Sequence, residues 1–340
     1  MKNRTLKVLS LLASALMLTT LFSACGKKTD KNVTKVRLNE VTRSVFYAPM
    51  YAAINNGYFK ENGINLDIST GQGADKTMQE VLSKNADIGF CGPEQVIYIY
   101  NQHRSDYPIV FAQLTQKDGS FLVGRKEETN FDWTSLKGKT IIGGRPGGVP
   151  EMALEYVLKN KGLKPGKNVN VITNIDFSAV GGAFKGGTGN YATLFEPTGS
   201  LLTESKSGYI VSSVGAEAGT LPYTCFFATK SYISKNKDVV QKFTNAIYKG
   251  QLWVKNHSDK EVANAIKSFF PGTNESLLEN SIKNYRSIDA YCSNPILKEE
   301  DLTRLMDIIQ GYKSDLIKER PSFNTIVNTT FAKEAVQKIK

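Results

Sequence analysis

The sequence predicts an α/β protein of two lobes, the second inserted in the first, ending in a largely helical C-terminal part. Three observations carry this. Short apolar runs alternate with helical periodicity at the spacing of βαβ units between residues 33 and 114. The alternation restarts after Ser120, and an aromatic run at 223–228 then leads into helical pattern that continues to the C-terminus. A chain of 340 residues is also long enough to build two lobes, each with its own core.

The elements follow in order. Residues 33–41 alternate well enough for a first strand, which ends at Thr42-Arg43-Ser44. Residues 48–59 predict a helix, with Pro49 suited to its first turn and Gly57 to its end. Strands are expected at 64–69, 86–90 and 109–114, separated by helices at 76–84 and 94–101. Such spacing argues for a mostly parallel sheet. After Ser120 the extended segments are 121–124, 140–143, 169–173, 191–195 and 209–214, with a strong helix over 151–160. Beyond Ser231 helices are expected at 235–256, 259–269, 276–285, 298–309 and 332–339. The division is therefore lobe 1 at 34–121, lobe 2 at 122–220, and a return to lobe 1 with the C-terminal helices at 221–340.

Ligands of open α/β sheets bind outside the carboxyl ends of the strands. The residues after each strand are thus the candidates. After the first stand Thr42, Arg43, Ser44, Phe46 and Tyr47, a set of hydroxyls, a cation and two aromatic rings. After the second come Gly71, Gly73 and Ala74, where free N–H groups at a helix start would favour an anionic group, unless the segment is a plain turn. Gly92 and Pro93 follow the third strand and read as backbone geometry, with Glu94 favouring the helix dipole. In the second lobe, Gly147 and Gly148 belong to the densest loop, 143–150. There Arg145 either clamps a carboxylate or sulfonate or is a solvated side chain. Glu196 either accepts from an amine or caps a helix. Tyr223 would wall the ligand.

Catalytic and metal chemistry find no support. The two histidines, His103 and His257, have no partner at metal-ligand spacing. Gly138-Lys139-Thr140 mimics the end of a P-loop, but Trp133 stands where its first glycine is required. Cys91, Cys225 and Cys292 are 134 and 67 residues apart, match no metal or redox motif, and read as buried thiols. The formal charge of +11 is spread without runs, which argues against a nucleic-acid stripe. No cofactor is expected.

Glu40-Val41-Thr42-Arg43-Ser44-Val45-Phe46-Tyr47-Ala48-Pro49, the Gly57-Tyr58-Phe59 helix end and residues 71–75, 86–89, 143–150 and 194–197 resemble one family. It comprises the solute-binding proteins of nitrate/sulfonate/taurine-type ABC importers, and the likeness reaches the thiamine-pyrimidine precursor binders and the related fungal synthases. The resemblance implies a type II periplasmic-binding-protein-like fold, a small-molecule ligand in the interlobe cleft, an ABC permease and its ATPase as partners, and a monomer. It places Glu196 near a ligand-contacting glutamate of the pyrimidine binders, although the surrounding aromatic residues differ. The synthases' cysteine-rich, iron-linked motif is not found in this sequence.

The N-terminus fits that picture. Lys2, Arg4 and Lys7 precede an apolar stretch to Leu21, and Ser23-Ala24-Cys25 resembles a lipobox. The likeness implies cleavage before Cys25 and a lipid anchor there, with 25–33 as a tether. An ordinary secretory signal with a coincidental cysteine is the alternative. Removing residues 1–24 takes away three basic residues and no acidic one, so +11 becomes +8. Either way the chain is expected to leave the cytoplasm.

Overall fold

The computed structural model describes residues 33–339. The leader and Cys25 lie outside them. Two five-stranded sheets organise the chain. The first contains β1 (Thr34–Glu40), β2 (Ile64–Thr70), β3 (Ile88–Cys91), β4 (Pro108–Thr115) and β10 (Thr224–Thr229), in the order β2-β1-β3-β10-β4. The second contains β5 (Phe121–Gly124), β6 (Thr140–Ile142), β7 (Asn170–Ile172), β8 (Tyr191–Leu194) and β9 (Tyr209–Ser213), in the order β7-β6-β8-β5-β9. The chain then returns to the first sheet as β10 (Thr224–Thr229). The second sheet is inserted in the first.

The expectation of a mostly parallel arrangement holds for four strands of each sheet, and one strand in each runs backwards. β10 runs antiparallel to both β3 and β4, and β5 runs antiparallel to β8 and β9. Topology explains this. β4 and β9 leave their lobes at their carboxyl ends, so the strand that enters the other lobe starts at that lobe's carboxyl edge and must run backwards. Because β5 begins at Phe121, a boundary drawn after residue 121 cuts off the first residue of the second sheet. The helix expected at 48–59 is two helices, Ala48–Asn55 and Tyr58–Glu61. Gly57 separates them with a left-handed φ of 80°, which glycine adopts without steric penalty. The helix expected from 235 begins as the short Lys230–Lys235 and resumes as Lys237–Asn256.

The apolar runs that predicted strands are the residues that bury. Val36, Leu38, Ile88, Phe90, Phe226 and Phe227 are fully buried, and the Phe90 and Phe226 rings stack at 4.3 Å. Burying one such side chain is worth about 1.5–3 kcal/mol. All three cysteines in the described residues are free and buried, as read from their neighbours. Among the described residues no helix is long and apolar enough to cross a membrane.

Candidate functional site

A cleft of about 1060 Å³ separates the lobes, lined by residues that follow β1, β2 and β3 on one side and β6, β7 and β8 on the other. Tyr223 and Thr224, where the chain re-enters the first lobe, complete it. Of the residues expected from sequence, Thr42, Arg43, Ser44, Tyr47, Gly73, Ala74, Gly92, Arg145, Gly148, Glu196 and Tyr223 line this cleft. Phe46, Gly71, Pro93 and Gly147 do not.

Each exception has a physical cause. Phe46 is fully buried beneath the cleft, its ring 4.8 Å from Tyr285 and 5.5 Å from Tyr223. Gly71 packs against Thr77 and Asn39, where a methyl group would lie 2.6 Å from the Thr77 hydroxyl. Its N–H donates to the Glu40 carbonyl and that of Gly73 to the Val41 carbonyl, so neither glycine amide is open to an anion. Pro93 is the N-cap of the helix Glu94–Tyr100. Gly147 takes a left-handed φ of 74° and turns its carbonyl toward the Tyr98 hydroxyl, which donates at 2.9 Å across the lobes.

The charged groups divide into engaged and open. Arg43 Nε donates to Glu40 at 2.7 Å, and the same buried carboxylate accepts from Tyr51 at 2.6 Å and Thr70 at 3.0 Å. Burial pushes the Glu40 carboxyl up, against these hydrogen bonds and the Arg43 charge. The guanidinium also lies over the Tyr51 and Phe269 rings at 5.3 and 5.1 Å. Arg43 therefore neutralises a buried acid at the cleft wall and is not a free clamp.

Glu196 is more completely engaged. Its carboxylate accepts from the Ser200 amide at 2.9 Å, the Ser200 hydroxyl at 2.6 Å and Asn284 Nδ2 at 2.6 Å. Its carbonyl accepts from Ser44 at 2.8 Å and its N–H donates to the Tyr285 hydroxyl at 2.9 Å. The carboxylate caps the helix Thr198–Glu204 and rivets it to the helix Glu275–Ser287. Of the two readings made from sequence, the helix-capping carboxylate is the one this geometry satisfies.

Glu94 and Arg145 are the open pair. Glu94 is only 1 % exposed, yet it lines the cleft, and its Oε2 has no hydrogen-bond partner. Its Oε1 receives a long 3.3 Å bond from Gln95. Burial pushes the carboxyl up to about 7, while the Arg145 charge pulls the other way. Arg145 comes from the opposite lobe and reaches Asp75 at 3.3 Å, but its Nη2 is buried without a partner. Sequence reasoning treated Glu94 only as a dipole partner; its place directly after a strand was the available signal. The same signal applied to the polar loop after β7, where Thr173, Asn174, Asp176 and Phe177 line the cleft and were not singled out.

Residues 45–261 match a family described as NMT1/THI5 like. The Bacillus subtilis (strain 168) protein YtlA, by its description a candidate binding protein, is 45 % identical over 314 residues, spanning 92 % of this chain and 93 % of YtlA. The periplasmic nitrate-binding protein NrtA of Synechocystis PCC 6803 superposes with a TM-score of 0.70 at 15 % identity, covering 91 % of this chain and 89 % of that one. The alkanesulfonate-binding protein SsuA of Xanthomonas axonopodis pv. citri, bound to MOPS, superposes with a TM-score of 0.69 at 14 % identity, covering 87 % and 98 %. Two lobes around a cleft, the second inserted in the first, together with these likenesses give the chain the fold of the periplasmic binding proteins and make it a member of the NMT1/THI5-like family.

Proposed function

We propose that the chain is the extracytoplasmic solute-binding component of an ABC importer. It captures a small polar organic ligand between its lobes and delivers it to a membrane permease. The cleft carries this reading: both lobes supply polar groups to one volume of about 1060 Å³, the upper range for small-molecule sites. Capture proceeds by closure, since a ligand that touches both walls adds binding energy only to the closed form. Asp75 and Arg145 already meet across the two lobes. The likenesses to YtlA, NrtA and SsuA support the reading. So does the lipobox-like leader, which would tether the receptor through Cys25 beside its permease. The ligand is a thiamine-pyrimidine-like heterocycle or a sulfonate- or nitrate-type anion.

A thermal-shift screen against aminopyrimidines, sulfonates, nitrate and amino acids tests this. A ligand at a hundred times its Kd should stabilise the folded state by about 2.7 kcal/mol. A protein that no such molecule shifts, and that forms a pyrimidine product from pyridoxal phosphate and iron, is a synthase-like enzyme instead.

A further inference from the structure

We propose that Glu94 selects the ligand by accepting a hydrogen bond from its nitrogen, so that the cleft takes an organic molecule bearing an amine or amino N–H group and refuses a bare anion. The inference rests on the reading of the cleft as a solute site and narrows it.

Three observations carry it. A buried carboxylate oxygen without a donor is expensive, costing about 1–3 kcal/mol or more, and Glu94 Oε2 is such an atom on the cleft wall. The carboxylate is held there by design of the backbone: it folds back over Gly92, where a methyl group would collide with Oε2. Finally, Arg145 is the cation nearest in kind, but no ion pair within 4.0 Å joins it to Glu94, and its Nη2 stays open as well. Two opposite charges in a low-dielectric cleft attract strongly. If they remain apart, on opposite lobes, a group between them is needed to satisfy both. That group must offer a donor to Glu94 and an acceptor to Arg145.

A nitrate or a plain sulfonate offers acceptors alone. It would meet Arg145 but press an oxygen toward a carboxylate, which is repulsive. An amine beside an acidic group, or a ring amino group beside a ring nitrogen, meets both. Phe177, Phe195 and Leu201 supply the apolar wall for its carbon skeleton. Specificity of this kind is large, because a site built to bind an N–H group rejects the analogue that lacks it.

Calorimetric titration with matched pairs tests the proposal: 4-aminopyrimidine against 4-methylpyrimidine, taurine against ethanesulfonate, and nitrate alone. The amine-bearing member of at least one pair should bind at least tenfold more tightly than its counterpart. Glu94→Gln should lose about tenfold or more of that affinity while unfolding no earlier than the parent. Gly92→Ala should lose affinity likewise, by displacing the carboxylate without changing any charge. Equal binding of the amine-free members, or tight binding of nitrate, overturns the proposal. Amine binding that survives both substitutions overturns it too, while leaving the solute-binding reading intact. Silence from every probe at millimolar concentration sinks both.

Discussion

β3 in one lobe and β8 in the other hold the same place, third in a five-strand sheet, and each runs into a corner made of a proline and a buried glutamate. The corners are Cys91-Gly92-Pro93-Glu94 and Phe195-Glu196-Pro197-Thr198. Their glutamates meet opposite fates because they lie on opposite sides of the proline. Glu196 precedes it, so its carboxylate reaches forward over the first turn and accepts the Ser200 amide four residues on. Glu94 follows it and is already the first residue of its helix, so the helix offers its carboxylate no such amide ahead. It folds back over Gly92 and faces the cleft. Two residues of displacement relative to the proline separate a carboxylate that holds the lobes together from one left open to a ligand.

The largest test of that contrast is Glu196→Ala. It strands the Ser200 amide and hydroxyl and Asn284 Nδ2, all of which now donate to one carboxylate. Urea denaturation should show a loss of about 3–5 kcal/mol, the range for breaking a buried charged network. A loss below about 1 kcal/mol would mean that the rivet holds nothing. Glu94→Gln should act in the opposite direction. Burial raises the Glu94 carboxyl from 4.5 to about 7 in the folded state. A raised acid favours folding below its unfolded value, and that contribution is lost as pH rises through about 7. The glutamine variant has no such penalty. It should match the parent near pH 4 and exceed it by about 1–3 kcal/mol at pH 8, as read from unfolding midpoints across that range. A variant less stable than the parent at pH 8 breaks the comparison.

Much of the frame was legible in the sequence, since period-2 apolar runs and glycine or proline punctuation report directly on burial and turns. Strand direction was not. Nothing in the residues of β5 or β10 says that they run backwards; that follows from where the chain crosses between lobes. The site was legible as a set of places and less so as roles. Arg43 stood visibly after a strand, but only the structure seats it on Glu40, three residues before it, and on the Tyr51 and Phe269 rings. Glu196 and Glu94 could not be ranked from sequence because their difference lies in which donors surround them. Phe46 looked like a ligand wall for the same reason that it is core: an aromatic ring after a strand packs wherever other rings are nearest, and four lie within 6 Å.

A third buried acid tells the two corners apart from a general effect of burial. Asp118 sits on the first crossing between lobes, its Oδ1 accepting from the Ser120 amide at 2.7 Å and its Oδ2 without a partner. Burial pushes it up to about 7 as well, against the hydrogen bonds from Ser120. By the same sign, its stabilising contribution is present below about pH 4 and is lost as pH rises through about 7. Asp118→Asn should therefore raise stability at pH 8 by about 1–2 kcal/mol. Unlike Glu94, Asp118 does not line the cleft. A bound amine should abolish the part of the pH slope that Glu94→Gln removes and leave the part that Asp118→Asn removes. If ligand changes both equally, the open corner is not the place where it binds.

The smallest effects are the most diagnostic, because they alter no charge at all. Each corner has a glycine beside its carboxylate. At Gly199, within the helix Thr198–Glu204, an added methyl would meet Ile210 at 3.3 Å and Glu196 Oε2 at 3.5 Å, close to ordinary contact. Gly199→Ala should be neutral or stabilising by up to about 1 kcal/mol, since alanine is the better helix former. At Gly92 the methyl collides with the far end of a flexible side chain and no backbone atom, so Gly92→Ala should cost less than about 1 kcal/mol as the carboxylate swings aside. Stability measurements alone will thus scarcely distinguish the two variants. Ligand titration should separate them completely: Gly199→Ala binds as the parent does, and Gly92→Ala does not. A Gly92→Ala protein with parental affinity would show that the Glu94 carboxylate works equally well elsewhere, and that its folded-back position carries no information about the ligand.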